Sequence, residues 1–143
     1  MNREANWSLD PRLAGDTVAA GDLALCRVLV MNDANYPWLI LVPRRPGVTE
    51  IIDLGAPDQA ALMQEIDRAA RVLKALTHCD KLNIAALGNA VPQLHVHVIA
   101  RFKTDAAGAR AVWGAAPAKT YEAAALAAFV SQVRGALGLP PSS

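Results

Sequence analysis

The densest chemistry in the chain is the run Gln93-Leu94-His95-Val96-His97-Val98-Ile99-Ala100-Arg101. Extended backbone sends successive side chains to opposite faces. Gln93, His95, His97 and Ile99 then share one face, and Leu94, Val96 and Val98 share the other. The apolar face suits packing on a helix; the polar face suits the wall of a cleft. Each imidazole carries two ring nitrogens that need partners when buried. Three chemistries fit such a row. It can be a structural set of hydrogen-bonded histidines. It can offer a metal two ligands, His95 and His97, which is too few for a closed structural site. His78, the third histidine of the chain, falls at the end of a predicted helix. The row can also attack a phosphoryl group. Imidazole, with an unperturbed pKa of about 6.5, is a nucleophile at neutral pH, and a second imidazole can hold a phosphate oxygen.

Other concentrated motifs are absent. The sequence has no GxxxxGK(S/T) phosphate loop, no GxGxxG fingerprint, no GxSxG elbow and no HExxH pair. Cys26 and Cys79 form no CxxC motif and no zinc spacing, and are expected to be free thiols with at least one of them buried.

The elements that must position the histidines follow from periodicity and turn signals. Leu9–Thr17 is predicted to contain a short helix, with Asp10 and Pro11 at its start. Gly21-Asp22 breaks the chain. Leu23–Met31 and Tyr36–Val42 read as a hairpin around the polar turn Asn32-Asp33-Ala34-Asn35. Tyr36, Trp38, Ile40 and Val42 fall on one face of the second strand, Leu39 and Leu41 on the other. Pro43-Arg44-Arg45-Pro46 ends it, with the arginines as a solvated exit. Residues 57–77 are an amphipathic helix, with Leu62, Ile66, Ala69, Ala70, Leu73 and Leu76 on one side. Gln64, Glu65, Asp67, Arg68, Arg71 and Lys74 are placed on its polar side. Lys81–Leu87 and Leu94–Phe102 are strands, Thr104–Lys119 is an irregular connection, and Tyr121–Leu137 is an alanine-rich helix. The tail Pro140–Ser143 is expected to fray. The order predicts an α+β domain: a mainly antiparallel sheet of about five strands with two main helices.

Composition bounds the rest. The chain has 143 residues, which suits one domain. Residues 1–22 are expected to be an N-terminal extension and 103–143 a C-terminal connection and helix. Apolar residues make up 53% and the formal charge is +1. Neither a membrane span nor a global attraction to nucleic acid is expected. The N-terminus lacks a signal-peptide core, so a cytoplasmic location is expected.

The histidine strand resembles the signature of the histidine triad (HIT) superfamily, His-φ-His-φ-His-φ-φ with φ apolar. Gln93 stands at the first histidine, His95 at the middle one and His97 at the last. The hairpin with its Pro43-Arg44-Arg45-Pro46 exit, the helix at 57–77 and the strand at 81–88 are similar to the family's order. The resemblance covers about Leu23 to Arg101. It implies a HIT-like domain, often a homodimer with a continuous sheet, that binds a nucleotide, here expected to be a purine nucleotide. It implies hydrolysis or transfer of the nucleotidyl group at the α-phosphate without a required metal or cofactor. By the match, His95 forms a nucleotidyl-imidazole, with a backbone carbonyl near Gln93 orienting its other nitrogen. His97 donates to a phosphate oxygen, and Gln93 touches the phosphate or the leaving group. Glutamine departs from the pattern, because its amide does not titrate near pH 7. The departure implies a slower hydrolase, a different leaving group, or a nucleotide-binding module without useful turnover. A dimeric interaction protein is the further alternative.

The resemblance adds binding candidates. Asn32 and Asp33 sit near the family's ribose-binding acidic position, and otherwise serve the turn. Asn83 and Asn89 lie near its polar phosphate-binding segment, where Ala86 replaces an asparagine. Arg101 ends the triad strand and can reach a phosphate or simply close the strand. Trp38 and Trp113 can stack on a base, pack in the core or form a dimer contact.

Overall fold

The computed structural model describes residues 6–140. Its first element begins where Asp10 and Pro11 place it. The Asp10 carboxylate accepts the Arg12 backbone N–H at 2.8 Å, and Pro11 opens helix α1, Pro11–Asp16. The chain then extends into β1, Thr17–Asp22, followed by β2, Cys26–Met31, and β3, Trp38–Pro43. A single 3₁₀ turn at Ile51–Asp53 leads to α2, Ala56–Thr77. Strands β4, Lys81–Ala85, and β5, Val96–Arg101, precede α3, Ala123–Ala136. The five strands form one antiparallel sheet in the order β1-β2-β3-β5-β4. The α+β architecture expected from the element order is the one observed.

Residues 11–22 are not an extension but part of the domain, as α1 and edge strand β1. Thr-Val-Ala-Ala-Gly-Asp has little β-propensity of its own. Pairing with β2, from Thr17↔Met31 to Asp22↔Arg27, makes it a strand, with a bulge between Ala19 and Gly21. Gly21 has φ 145°, and a Cβ there would lie 3.1 Å from the Leu139 side chain. The last residues of the expected tail, 141–143, lie outside the described residues.

The sheet is covered on both faces, as the alternation within β3 requires. Val28, Leu39, Leu41, Val96 and Val98 face α2 and α3, where they meet Leu62, Ala69, Leu73 and Val133 in one buried cluster. Leu29, Trp38, Ile40, Val42 and Ile99 face the other way and pack with Leu13, Ala107 and Val112. The 102–120 connection thus lays side chains over the face that carries the histidines.

The polar side of α2 needs one correction. Glu65 is buried, and its carboxylate accepts the backbone N–H groups of Leu25 and Cys26, both at 2.8 Å. The start of β2 aims two donors at the helix, and a buried donor must be satisfied. Burial and the neighbouring Glu65 carboxylate push the Cys26 thiol far up, which makes it inert; both cysteines are free and buried. Arg68 likewise reaches off the helix to the Leu137 carbonyl. Glu65→Leu strands both N–H groups and is expected to destabilise the fold by roughly 2–4 kcal/mol. Denaturant midpoints at unchanged slope measure it. A loss below about 1 kcal/mol would contradict this role.

Candidate active site

The chain enters β5 through Pro92, and the Leu94 N–H bonds the Val48 carbonyl at 3.0 Å. Leu94, Val96 and Val98 turn to the helical cluster, which leaves His95 and His97 on the opposite face. His97 pairs across the sheet with Ile40 on β3 and Ala85 on β4. The two imidazoles lie with ring centroids 5.0 Å apart and planes at 73°. They are 6% and 5% exposed, so their nitrogens need protein or ligand partners.

Those partners assign the protons. The His95 Nδ1 lies 2.7 Å from the Gln93 backbone carbonyl. A carbonyl only accepts, so Nδ1 carries the hydrogen and Nε2 keeps its lone pair. His97 has the opposite arrangement. Its Nδ1 lies 3.0 Å from the Trp38 indole Nε1. An indole only donates, so the His97 Nδ1 accepts and the neutral ring carries its hydrogen on Nε2. The site therefore presents a bare nitrogen on His95 and an N–H on His97.

His97 is held neutral. Burial, followed by the charge of His95, lowers its pKa from the ordinary 6.5 to about 4. The unfolded chain then binds the proton more readily than the native one. The stabilisation is complete above pH 6.5 and is lost as pH falls toward 4. The pH-dependent loss is on the order of 3 kcal/mol. Denaturant midpoints at pH 7.5 and 4.5 check it, with His97→Asn expected to flatten the profile.

A cavity of about 390 Å³ opens onto both histidines. Its walls come from Asp16, Met31, Trp38, Asn89, Val91 and Trp113, among others. Trp113 is 40% exposed and meets His97 edge-on at 5.0 Å and Trp38 at 5.8 Å. A smaller cavity of about 270 Å³, lined by Thr49, Glu50, Ile52, Gln93 and His95, also borders His95. Leu87 and Gly88 border both cavities. Gly88 has φ 74°, and a Cβ there would come 3.2 Å from the Val91 carbonyl oxygen, so glycine keeps this rim tight.

The remaining sequence-predicted residues separate. Asn89 lines the histidine cavity. Asn32 and Asp33 line an adjoining depression of about 340 Å³ that shares Asp16, Met31 and Trp38 with it. The Asn32 side-chain oxygen accepts the Tyr121 N–H at 2.9 Å, and an Asp33 oxygen accepts those of Asn35 and Lys119 at 3.0 and 3.3 Å. Gln93 borders the smaller cavity, but its amide oxygen accepts the Asp10 N–H and its Nε2 donates to the Ser8 carbonyl. These bonds tie the amide to the N-terminal backbone and use one of its two N–H donors.

Arg101 and Asn83 stand away from the histidine cavity. Arg101 is four residues beyond His97, roughly 13 Å along extended chain. Its guanidinium is consumed by Asp105, the Asn83 side-chain oxygen and the Gly108 carbonyl. The Arg101 guanidinium holds the buried Asp105 carboxyl below its ordinary range. This pair ties the 102–108 turn to β5 and does not face the histidines. Arg44 and Arg45 are also engaged, with the Leu23 and Ala24 carbonyls and with Asp58. Asp16 has no motif around it; only the packing of α1 against β1 brings it to the cavity. His78 caps α2 in a left-handed conformation, and no group of three His, Cys, Asp or Glu among the described residues is placed to hold a metal.

Residues 14–104 match the family model of the HIT domain, and these residues include the histidine strand with its hairpin and α2. The chain belongs to the HIT family. A histidine triad protein from Bradyrhizobium japonicum has 57% identity and a TM-score of 0.90, covering 92% of this chain and 98% of that one. A HIT protein from Sinorhizobium meliloti has 41% identity and a TM-score of 0.89, again over 92% and 98% of the two chains. A hypothetical histidine triad nucleotide-binding protein from Sulfolobus tokodaii has 13% identity and a TM-score of 0.66 over 85% and 84%, which is a likeness of HIT fold alone. No curated protein matches the chain.

Proposed function

We propose that this HIT protein binds a nucleotide, expected to be a purine nucleotide, and hydrolyses or transfers its nucleotidyl group through His95. The observation that carries the reading is the opposed tautomers of the two histidines. The lone pair of His95 Nε2 attacks the α-phosphorus, and the bond to the leaving group breaks with its electron pair. The Nδ1–H held by the Gln93 carbonyl carries the developing positive charge of the ring. His97 Nε2–H donates to a non-bridging oxygen, where negative charge builds. Water or an acceptor then displaces His95 from phosphorus and restores the neutral ring. Trp113 and Met31 offer apolar surface to a nucleoside, with Asp16, Asn32 and Asp33 in the adjoining depression toward its sugar. Asn89 stands at the phosphate end.

Family membership also supports a homodimer. β4 is an edge strand with Ile84 49% exposed, so a second copy can continue the sheet there. No helix among the described residues is long and apolar enough to cross a membrane. A cytoplasmic location remains part of the proposal.

A second reading has one specific observation behind it. The amide of Gln93 is engaged by backbone and does not titrate, so nothing at that position supplies a proton to a leaving group. The protein would then bind nucleotides without releasing a product. Mass spectrometry on protein quenched during exposure to an adenosine phosphoramidate separates the two. An adenylyl adduct on His95, absent from His95→Ala, is expected. No adduct and no AMP, despite a thermal shift with nucleotide, would favour the binding module.

A further inference from the structure

The glutamine at the head of the histidine strand joins two parts of the chain that are far apart in sequence. Its side-chain oxygen accepts the Asp10 backbone N–H at 2.8 Å, and its Nε2 donates to the Ser8 carbonyl at 2.9 Å. The amide thus pairs in both directions with the N-terminal backbone, much as a neighbouring strand would. A second contact secures the same segment. The Arg12 Nη1 donates to the Ala90 carbonyl at 2.7 Å, and Ala90 lines the cavity of His95 and His97.

The clipped segment carries a charged pair. The Asp10 carboxylate accepts the Arg12 backbone N–H at 2.8 Å and its Nε and Nη2 at 3.3 and 3.2 Å. The Arg12 bonds hold the Asp10 carboxyl below its ordinary range. The Arg12 side chain is 58% exposed, and not all of its N–H donors are used. Among the described residues, no lysine or arginine lines either cavity beside His95. A phosphate-bearing ligand needs a cation or several donors, and Arg12 is tied through the Ala90 carbonyl to the wall of the histidine cavity.

We propose that Gln93 is a positioning residue that clips residues 8–10 across the head of the histidine strand, and so holds Arg12 at the cavity mouth as the phosphate-recognising cation. The proposal rests on the nucleotide reading for the identity of the anion, but not for the clip. It also gives the glutamine a task other than proton transfer. The segment before α1 becomes part of the site, although the histidine motif gives no sign of it.

The test uses the full chain with AMP and adenosine as probes. Gln93→Met keeps side-chain length and removes the amide; Arg12→Ala removes the guanidinium. In calorimetric titrations each variant is expected to weaken AMP by roughly tenfold while adenosine binding holds. The double variant is expected to cost no more than Arg12→Ala alone, because Gln93 acts through Arg12. Gln93→Met is also expected to lose hydrogen-exchange protection at the Asp10 amide in the ligand-free protein. Equal weakening of AMP and adenosine, or fully additive effects, would overturn the proposal. Retained protection at Asp10 would overturn the clip. If the wild type binds neither probe, the phosphate role of Arg12 falls with the nucleotide reading, while the exchange result decides the clip on its own.

Discussion

His95→Ala is expected to slow nucleotide turnover by roughly 10⁴-fold or more and to leave no covalent adduct. The reason is positional as well as chemical. His95 is the ring whose outer nitrogen keeps its lone pair, because the Gln93 carbonyl takes the Nδ1–H at 2.7 Å. It also lines both cavities. No other described nucleophile takes its place; Cys26 is buried on the helical side of the sheet. The fold is expected to survive, because His95 belongs to neither apolar cluster. Steady-state rates with a matched thermal melt measure both. Turnover within tenfold of wild type in a folded His95→Ala protein would contradict the assignment.

His97→Ala is expected to lower turnover by roughly 10²–10³-fold and to weaken AMP binding less. An N–H aimed at a non-bridging oxygen matters most when charge accumulates there. The adduct on His95 should still form, slowly. Trp38→Phe probes the same function from behind. It keeps an aromatic ring among Tyr36, His97 and Trp113 and removes the indole N–H that fixes the His97 tautomer. The expected slowing is on the order of tenfold, since His97 can still reach the right tautomer part of the time. Single-turnover rates and AMP titrations on both variants decide it. An effect of Trp38→Phe as large as that of His97→Ala would mean that the indole acts by packing rather than by holding a proton.

Much of this was legible in the sequence where local pattern and tertiary fold agree. The alternation in β3 put Trp38 and Ile40 on one face and Leu39 and Leu41 on the other, as found. The same alternation placed His95 and His97 together and gave Val96 and Val98 to the helices. The helix predicted at 57–77 is observed at Ala56–Thr77 because its apolar period is long and uninterrupted. What stayed hidden depends on contacts distant in sequence. β1 exists through its partner β2 rather than through its own residues. Glu65 looked like a surface residue because periodicity does not register two backbone donors arriving from β2. Arg101 looked free because Asp105 and Gly108 fold back on it only through a turn without a motif. Trp38 looked like a base-stacking or core residue, and only the register of β3 against β5 makes it the donor to His97.

The two neighbouring histidines hold their protons on opposite nitrogens. A long-range ¹H–¹⁵N spectrum of the free protein at pH 7 reads this directly, with exposed His78 as the reference. His95 is expected to show a protonated Nδ1 and a bare Nε2, and His97 the reverse. His97 should also remain neutral well below pH 6.5, since its pKa lies at about 4. The same tautomer on both rings, or a charged His97 at pH 7, would rule out this division of roles between His95 and His97.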